Sequence, residues 1–255
     1  MALPRTSQDE RELETDVLEQ LERDGFAIVP NWLGKRDAEQ LTVLMDGWID
    51  GNPDSVQHNS DDRIFGAEHL SPAIAAYKHD GVLERIAATY MGKEQKALFT
   101  TGNRLRATPG KKARSGGRWH RDRKARQFKS LVYLTDCKRE NGAFCIVRRS
   151  AKAELFTDAI AATRFDFPNQ RWDDGDIDPF LARVEGEVVP IEGPAGTLVL
   201  FDSSLIHSGL PIRTGHRYAL TNYYYAAGEI DLPKMRTKFT PSMKPLEMPQ
   251  FAGTA

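Results

Sequence analysis

The stretch from Gly196 to Tyr225, GTLVLFDSSLIHSGLPIRTGHRYALTNYYY, indicates a β fold with a polar site inside it. Two apolar, β-rich runs, residues 197–201 and 218–225, enclose a segment rich in turn residues. His207 stands where the first run gives way to that segment, and Arg217 directly precedes the second run. If the two runs form neighbouring strands of one barrel, His207 and Arg217 face the same cavity.

A second cluster of polar residues, Trp119-His120-Arg121-Asp122, lies upstream. Alternate residues of a strand face the same side, so His120 and Asp122 are expected to point inward together. With His207 they supply two imidazoles and one carboxylate, which is the donor set of the facial triad that holds Fe(II) and leaves coordination positions open. A His-x-Asp pair alone is a weak signal, and a surface pair is the alternative. The order of His120, Asp122, His207 and Arg217 along the chain favours a metal site over a surface pair.

Arg217 is the predicted ligand of a co-substrate carboxylate. A guanidinium offers a planar fork that matches the distal carboxylate of 2-oxoglutarate. Arg213 is equally close to His207 in sequence, but it follows Pro211-Ile212 in a turn-like setting. We therefore predict that Arg217, at the start of an apolar strand, enters the barrel.

The rest of the chain predicts an α+β, mainly β protein whose β part closes on itself. Helical spacing indicates a first helix that begins at a capping box of Ser7 and Glu10 and ends at Gly25, and further helices over 35–50 and 72–91. Residues 51–63 resemble a polar loop. Further strands are predicted over 26–29, 98–105, 128–135, 143–147 and 187–191.

Three connecting features complete this prediction. Asn141-Gly142 is a strong hairpin signal between two predicted strands. Residues 151–183 form an insertion, helical and then acid-rich, which we expect to be a mobile, solvated lid. The whole chain, 1–255, is expected to be a single domain, with helical support over 1–95, a self-closing β core over 96–230 and a C-terminal tail over 231–255.

Composition narrows the class of partner. Lys and Arg number 35 against 36 Asp and Glu, so the net charge gives no sign of nucleic-acid binding. No apolar run approaches the roughly 20 residues of a membrane span, and the N-terminus lacks a signal-peptide pattern, so a soluble, cytoplasmic protein is expected. Cys137 and Cys145 are expected to be buried thiols. The oligomeric state stays open.

Four separated blocks resemble the phytanoyl-CoA dioxygenase family of Fe(II)- and 2-oxoglutarate-dependent oxygenases. They are ERDGFAIVPNWL (22–33), GGRWHRD (116–122), QFKSLVYLTDCKRENGAFCIV (127–147) and the stretch quoted first. The resemblance implies a double-stranded β-helix (jelly-roll) core with helical N-terminal support, with His120, Asp122 and His207 on iron and Arg217 and Ser208 on 2-oxoglutarate. Relatives that halogenate have a small residue in place of the carboxylate. Because Asp122 is present, hydroxylation or a related oxidation, with release of succinate and carbon dioxide, is expected.

Positive charge is concentrated between Arg104 and Lys129. This span holds eleven Lys or Arg and a single acid, Asp122. One interpretation is a solvated loop balanced by acids elsewhere. The other is a positive rim that steers an anionic small-molecule substrate to the metal, with Arg104, Arg106, Arg123 and Lys124 as the substrate residues.

Two other functions fit the same motifs. One is a jelly-roll binding or regulatory protein without turnover, and the other is a cupin-type metalloenzyme that uses no 2-oxoglutarate. The remaining histidines, His58, His69, His79 and His216, are expected to be solvated or turned away from the site.

Overall fold

The computed structural model describes residues 6–110, 112–237 and 246–251. Lys111 of the cationic span, the first five residues and part of the tail lie outside these residues. The described helices are α1 Ser7–Asp24, α2 Lys35–Gly51, α3 Pro72–Lys78, α4 Gly81–Met91, α5 Thr157–Thr163, α6 Asp174–Arg183 and α7 Leu232–Arg236. None of these helices has the length and apolar character needed to cross a membrane.

The strands of the described chain form two antiparallel sheets. They are β1 Phe26–Val29, β2 Gln57–His58, β3 Asp62–Phe65, β4 Lys96–Arg106, β5 Trp119–His120, β6 Phe128–Tyr133, β7 Phe144–Val147, β8 Arg171–Trp172, β9 Val188–Ile191, β10 Leu198–Asp202, β11 His207–Gly209 and β12 His216–Tyr225. The larger sheet has the order β1-β10-β6-β12-β4-β3-β2, and the smaller has the order β8-β5-β11-β7-β9. The predicted jelly-roll class is confirmed. However, the sheets stay separate, so the self-closing barrel was wrong.

Strand β10 is buried on both of its faces. Leu198 and Leu200 pack in the cluster formed with helices α1, α2 and α4, on the outer face of the larger sheet. Val199 and Phe201 alternate with them and pack in the cluster between the two sheets. A strand that is buried on both faces has no polar side, which explains the uninterrupted apolar run. The helices thus support the sheet that carries Arg217.

Helix α1 begins one residue earlier than its predicted capping box. Its N-cap is Thr6, whose hydroxyl accepts a hydrogen bond from the backbone N–H of Asp9, while the Asp9 carboxylate accepts one from the N–H of Thr6. The pair Ser7 and Glu10 was therefore the wrong box. Both sets of residues have the spacing of a capping box, and the spacing alone could not choose between them.

Asn141-Gly142 does not form the predicted hairpin. Strand β6 pairs with β10 and β12 in the larger sheet, whereas β7 pairs with β9 and β11 in the smaller one. Asn141 ends a short 3-10 helix, and Gly142 follows with a φ of +80°, a left-handed conformation that glycine adopts without strain. A turn is present at Asn141-Gly142, but it carries the chain from one sheet to the other instead of joining two paired strands.

The insertion 151–183 is folded rather than solvated. Its strand β8 pairs with β5, and its aromatic side chains are buried in a cluster with residues of β5 and β7: Phe165, Phe167, Trp172 and Phe180. The acidic residues belong to the exposed face of α6 and to the residue before it. The expectation that this segment is solvated was wrong, because its aromatic residues supply enough apolar surface to bury.

The predicted loop 51–63 contains strand structure. Strand β2 and the start of β3 lie within it, and β3 pairs with β4, so that Arg63 lies opposite Asn103. This pairing extends the larger sheet to its edge. It also brings residues of an apparently polar loop to the space between the sheets.

Candidate metal centre and co-substrate pocket

His120, Asp122 and His207 converge between the two sheets. One ligand atom from each lies within 4.8 Å of the other two. The Nε2 atom of His120 is 3.9 Å from Oδ1 of Asp122, and Nε2 of His207 is 3.7 Å from Oδ2. The cause is strand register, because β5 and β11 are neighbours in the smaller sheet and His207 is paired directly with His120. These spacings leave room for one metal ion among the three groups.

Backbone hydrogen bonds orient both imidazole rings. Nδ1 of His120 lies 2.7 Å from the carbonyl oxygen of Arg118, and Nδ1 of His207 lies 2.8 Å from that of Leu205. A carbonyl oxygen can only accept, so Nδ1 carries the proton in both rings. The lone pair of each Nε2 is then free to bind a metal. Both histidines are buried.

The charges of the triad suit metal binding. Burial, followed by the neighbouring His120, lowers the pKa of His207 to about 3, so this ring stays neutral near pH 7. Burial alone would raise the pKa of Asp122, but Lys129 and the two histidines more than offset this, and the pKa lies well below its usual value. Neutral imidazoles and an ionised carboxylate are the states that bind a metal.

Lys129 is held against the triad. Its Nζ donates to Oδ2 of Asp122 at 2.6 Å and lies 4.0 Å above the Tyr223 ring. Lys129 and Tyr223 are paired neighbours on β6 and β12, so both project from the larger sheet toward Asp122 and the two histidines of the smaller one. Lys129 thereby fixes one oxygen of Asp122.

Arg217 is buried in the same cavity. Its Nη1 donates to the carbonyl oxygen of Gly142, and its Nε has no hydrogen-bond partner in the described part of the chain. A buried guanidinium N–H without a partner is costly unless a ligand satisfies it. Arg213, in contrast, is exposed. The geometry therefore favours Arg217 as the group that could receive a carboxylate.

A cavity of about 330 Å³ joins these groups. This volume lies in the range of small-molecule sites. The side chains that line it come from both sheets and include the triad, Lys129, Arg217, Arg63, Arg171 and the aromatic residues Phe65, Phe99, Phe144, Phe201 and Tyr223. The cavity thus combines a metal-binding triad, cationic groups and an apolar wall.

Ser208 does not reach this cavity. It follows His207 on β11 and therefore faces the opposite side of the strand. Its hydroxyl donates to the carbonyl oxygens of Gly117 and Gly209. The structure gives no support to the expectation that Ser208 binds the co-substrate.

The four predicted substrate residues also lie away from the lining. Arg104 is buried in ion pairs with Asp46, Asp50 and Asp62, and Arg106 shares Asp46. Arg123 is paired with Glu229, and Lys124 is exposed beside a different surface depression. The structure brings none of the four together with the triad. Acids that are distant in sequence but in direct contact, rather than an anionic ligand, balance the three arginines.

The sequence reasoning missed two cations of the cavity, Arg63 and Arg171. Arg63 comes from the region taken as a loop, and Arg171 from the insertion taken as a lid. Arg171 could have been found from its neighbour Trp172, a residue type that is common in buried strands. A strand at this position pairs with β5, and that pairing puts Arg171 opposite His120. For Arg63, the apolar Ile64-Phe65 that follow could have indicated a strand.

The chain belongs to the phytanoyl-CoA dioxygenase (PhyH) family, whose model matches residues 21–219. No curated protein sequence matches the chain. Among solved structures, it is similar to the epimerase SnoN in complex with Fe3+, alpha-ketoglutarate and nogalamycin RO, with a TM-score of 0.65, 16% identity and coverage of 93% of this chain and 94% of that one.

Two further structures share the fold. HygX from Streptomyces hygroscopicus with nickel and 2-oxoglutarate has a TM-score of 0.62 and 18% identity, over 89% of this chain and 88% of that chain. EctD from S. alaskensis with 2-oxoglutarate and 5-hydroxyectoine has a TM-score of 0.63 and 18% identity, over 88% of this chain and 79% of that chain. At such identities the likeness establishes the jelly-roll fold, and it agrees with the family.

Proposed function

We propose that this protein is an Fe(II)- and 2-oxoglutarate-dependent dioxygenase that hydroxylates an anionic small molecule. The observation that carries the proposal is the convergence of three ligand atoms within 4.8 Å, in the cavity that also holds buried Arg217. The family supports the reaction class. The solved relatives support the cofactors, because the SnoN, HygX and EctD structures contain alpha-ketoglutarate or 2-oxoglutarate.

The residues present fit both iron and the co-substrate. Two neutral imidazoles and a carboxylate are a donor set for Fe(II) in oxygenases. The partnerless Nε of Arg217 is an N–H that a carboxylate oxygen would satisfy. Iron(II) and 2-oxoglutarate, when bound, supply the oxidising chemistry that no protein side chain provides.

The protein's own groups position and shield this chemistry. His120, His207 and Asp122 would hold the metal, and Arg217 would orient the co-substrate through its distal carboxylate. Lys129 donates to Oδ2 of Asp122 and so fixes the carboxylate beside the two imidazoles. The rings of Phe144 and Phe201 lie 5.5 and 5.8 Å from that of His207 and exclude water from one side of the centre.

Spectroscopy on the anaerobic protein tests the proposed centre. Fe(II) with 2-oxoglutarate should give a weak visible charge-transfer band at one iron per chain. His207→Ala should lose the band and most of the iron affinity. The matched control is His69→Ala, which removes an exposed histidine and should change neither. A band that survives in His207→Ala would remove His207 from the triad.

Turnover separates hydroxylation from the other possibilities. A library of small carboxylates and phosphates should contain a compound that triggers succinate release and gains the mass of one oxygen atom. Succinate release with an unchanged product mass would favour an epimerase, the activity in the SnoN name. Turnover without 2-oxoglutarate would favour a cupin-type enzyme. Metal and co-substrate binding without any turnover would favour a binding protein.

A further inference from the structure

We infer that Arg63 and Arg171, which enter the cavity from opposite sheets, form a paired site for a carboxylate or phosphate group of the substrate. Arg63 lies on β3 of the larger sheet and Arg171 on β8 of the smaller one, and both line the cavity that contains the triad. The inference rests on the proposed iron and 2-oxoglutarate site. It assigns the remaining cations of that cavity to the substrate.

The position of Arg171 is fixed by strand pairing. It lies directly opposite His120 in the antiparallel pair of β8 and β5. Its guanidinium therefore stands next to a metal ligand. Among residues 6–110, 112–237 and 246–251, no carboxylate forms an ion pair with it. An exposed arginine at the edge of a metal site, without an acid to balance it, is available to an incoming anion.

Arg63 is held in place by Asp61 and keeps an unused hydrogen-bond donor. Its Nη2 contacts Asp61 at 3.2 Å, while the buried Nε has no hydrogen-bond partner in the described chain. Asp61 also accepts hydrogen bonds of 2.7 Å from Asn103 and from Ser115, which fix its position. Asp61 balances the charge of Arg63, and the N–H at Nε is the group that an anionic ligand would satisfy.

The charge balance of the cavity leaves these two arginines for the substrate. Four cations line it, Arg63, Lys129, Arg171 and Arg217, against one acid, Asp122. Lys129 is paired with Asp122. Arg217 would be neutralised by the distal carboxylate of the co-substrate. Asp61 balances Arg63 but leaves its Nε unused, so Arg171 supplies the remaining positive charge and Arg63 the free N–H that an anionic substrate would take up.

The wall beside Arg63 can take the rest of the substrate. Phe65, two residues along β3, lies 6.1 Å from Phe99, whose ring stacks on Tyr223 at 4.6 Å. These rings line the same cavity. The site therefore fits a small molecule with an apolar body on this wall and an anionic group between the arginines.

Small anionic probes test the pair without knowledge of the substrate. The protein is loaded anaerobically with Co(II) and 2-oxoglutarate, and methyl phosphate or acetate is titrated in. Paramagnetic relaxation of the probe's methyl protons reports both its affinity and its closeness to the metal. At least one probe should show saturable relaxation, and the stronger of the two identifies the substrate group as phosphate or carboxylate.

The variants are Arg63→Gln, Arg171→Gln and, as a matched control, Arg106→Gln, an exposed arginine on β4 outside the cavity. Arg63→Gln should weaken the probe roughly 30-fold and Arg171→Gln several-fold, as for a partly buried and an exposed partner. Arg106→Gln should leave it unchanged. Co(II) and 2-oxoglutarate affinities should be retained in all three. If Arg63→Gln does not fold, Arg63→Lys keeps the charge without the fork and should still weaken the probe.

The possible failures point to different errors. A wild-type protein that binds neither Co(II) nor 2-oxoglutarate contradicts the proposed function, and the inference with it. A protein that binds both, but shows wild-type probe affinity in Arg63→Gln and Arg171→Gln, or no saturable relaxation at all, overturns the arginine pair and leaves the proposed function standing.

Discussion

Two groups of cationic side chains differ in what balances their charge. The peripheral group comprises Arg104, Arg106, Arg114, Arg118 and Arg123, and each member has a carboxylate oxygen at 2.5–2.9 Å. The cavity group comprises Arg63, Lys129, Arg171 and Arg217, which line the space beside the triad. The peripheral group dominates the sequence as a dense run, whereas most of the cavity group is scattered along the chain.

A dense run of cations in the sequence does not make a positively charged site, because folding can pair each of them with an acid. The acids that neutralise the peripheral group come from distant elements, including Asp46 of α2 and Asp173 and Asp174 at the start of α6. A paired charge attracts a third charge only weakly, and salt screens it further. A buried guanidinium that lacks an acid keeps its field and its unsatisfied donors, and can therefore recognise a ligand.

The largest expected effect contrasts Arg217 with Arg213. Removing one partner of a buried charged pair costs about 2–5 kcal/mol, so Arg217→Ala should weaken 2-oxoglutarate binding roughly 30-fold to several thousand-fold. Arg217→Lys should recover part of this, because an ammonium lacks the planar fork. Arg213→Ala should change the affinity several-fold at most. Calorimetry on the iron-loaded, oxygen-free protein gives all three values, and the reverse ranking would exchange the two assignments.

A smaller effect, on stability, is expected in the peripheral group. Arg104 is buried and holds three aspartates, so Arg104→Ala leaves Asp46, Asp50 and Asp62 close together without their shared cation. Because these acids are partly exposed, we expect the free energy of unfolding to fall by about 2–3 kcal/mol, with 2-oxoglutarate affinity unchanged. Urea denaturation measures the first and calorimetry the second. The control is Arg106→Ala, and an equal loss in that exposed position would contradict a special role of Arg104.

The cavity also predicts a pH dependence of the metal-free protein. The pKa of His207 is lowered to about 3 by burial and by His120, so between that value and about 6.5 the unfolded chain binds a proton that the folded chain does not. Stability must then fall as the pH is lowered through this window. His207 should contribute a loss of about 1–2 kcal/mol between pH 7 and pH 5.

Urea denaturation of wild type and of His207→Gln at both pH values measures this contribution. The loss between pH 7 and pH 5 should shrink in the variant, which has no group to titrate there. His216→Gln, which removes an exposed histidine, should keep the wild-type pH dependence. An unchanged pH dependence in His207→Gln would show that other groups cause it.

The candidate metal-binding residues could be predicted from sequence because a short motif and the end of an apolar strand mark them. Alternation alone does not bring them together, since Asp122 lies just beyond β5, and His207 begins β11 in the other sheet from the apolar strand β10 that precedes it. The overall fold followed from the same strand patterns. Arg217 could be separated from Arg213 because it begins a buried strand, whereas Arg213 lies in a turn.

The cavity cations other than Arg217 required the pairing of distant strands. Arg63 and Arg171 belong to short strands whose partners are about 40 and 50 residues away in sequence, and neither strand has an alternating pattern long enough to detect. The hairpin at Asn141-Gly142 was wrong for a related reason. The turn sequence fixes local backbone geometry, but it does not determine which sheet the next strand joins.

The smallest expected effect is that of charge reversal at Lys124. The dense cationic run suggested that Arg123 and Lys124 attract the substrate, and reversal there would then raise the substrate KM. In the structure Lys124 is exposed and lines a depression apart from the triad's cavity. An exposed charge outside the site acts only through screened, long-range attraction. Lys124→Glu should therefore change anion-probe affinity, 2-oxoglutarate affinity and kcat by less than about twofold at physiological salt.

Arg171→Glu, the same reversal at the cavity, should abolish probe binding. The paired titrations, repeated at low and high salt, measure the difference. A strong, salt-sensitive loss in Lys124→Glu, with little change in Arg171→Glu, would restore the peripheral run as the surface that recruits the substrate.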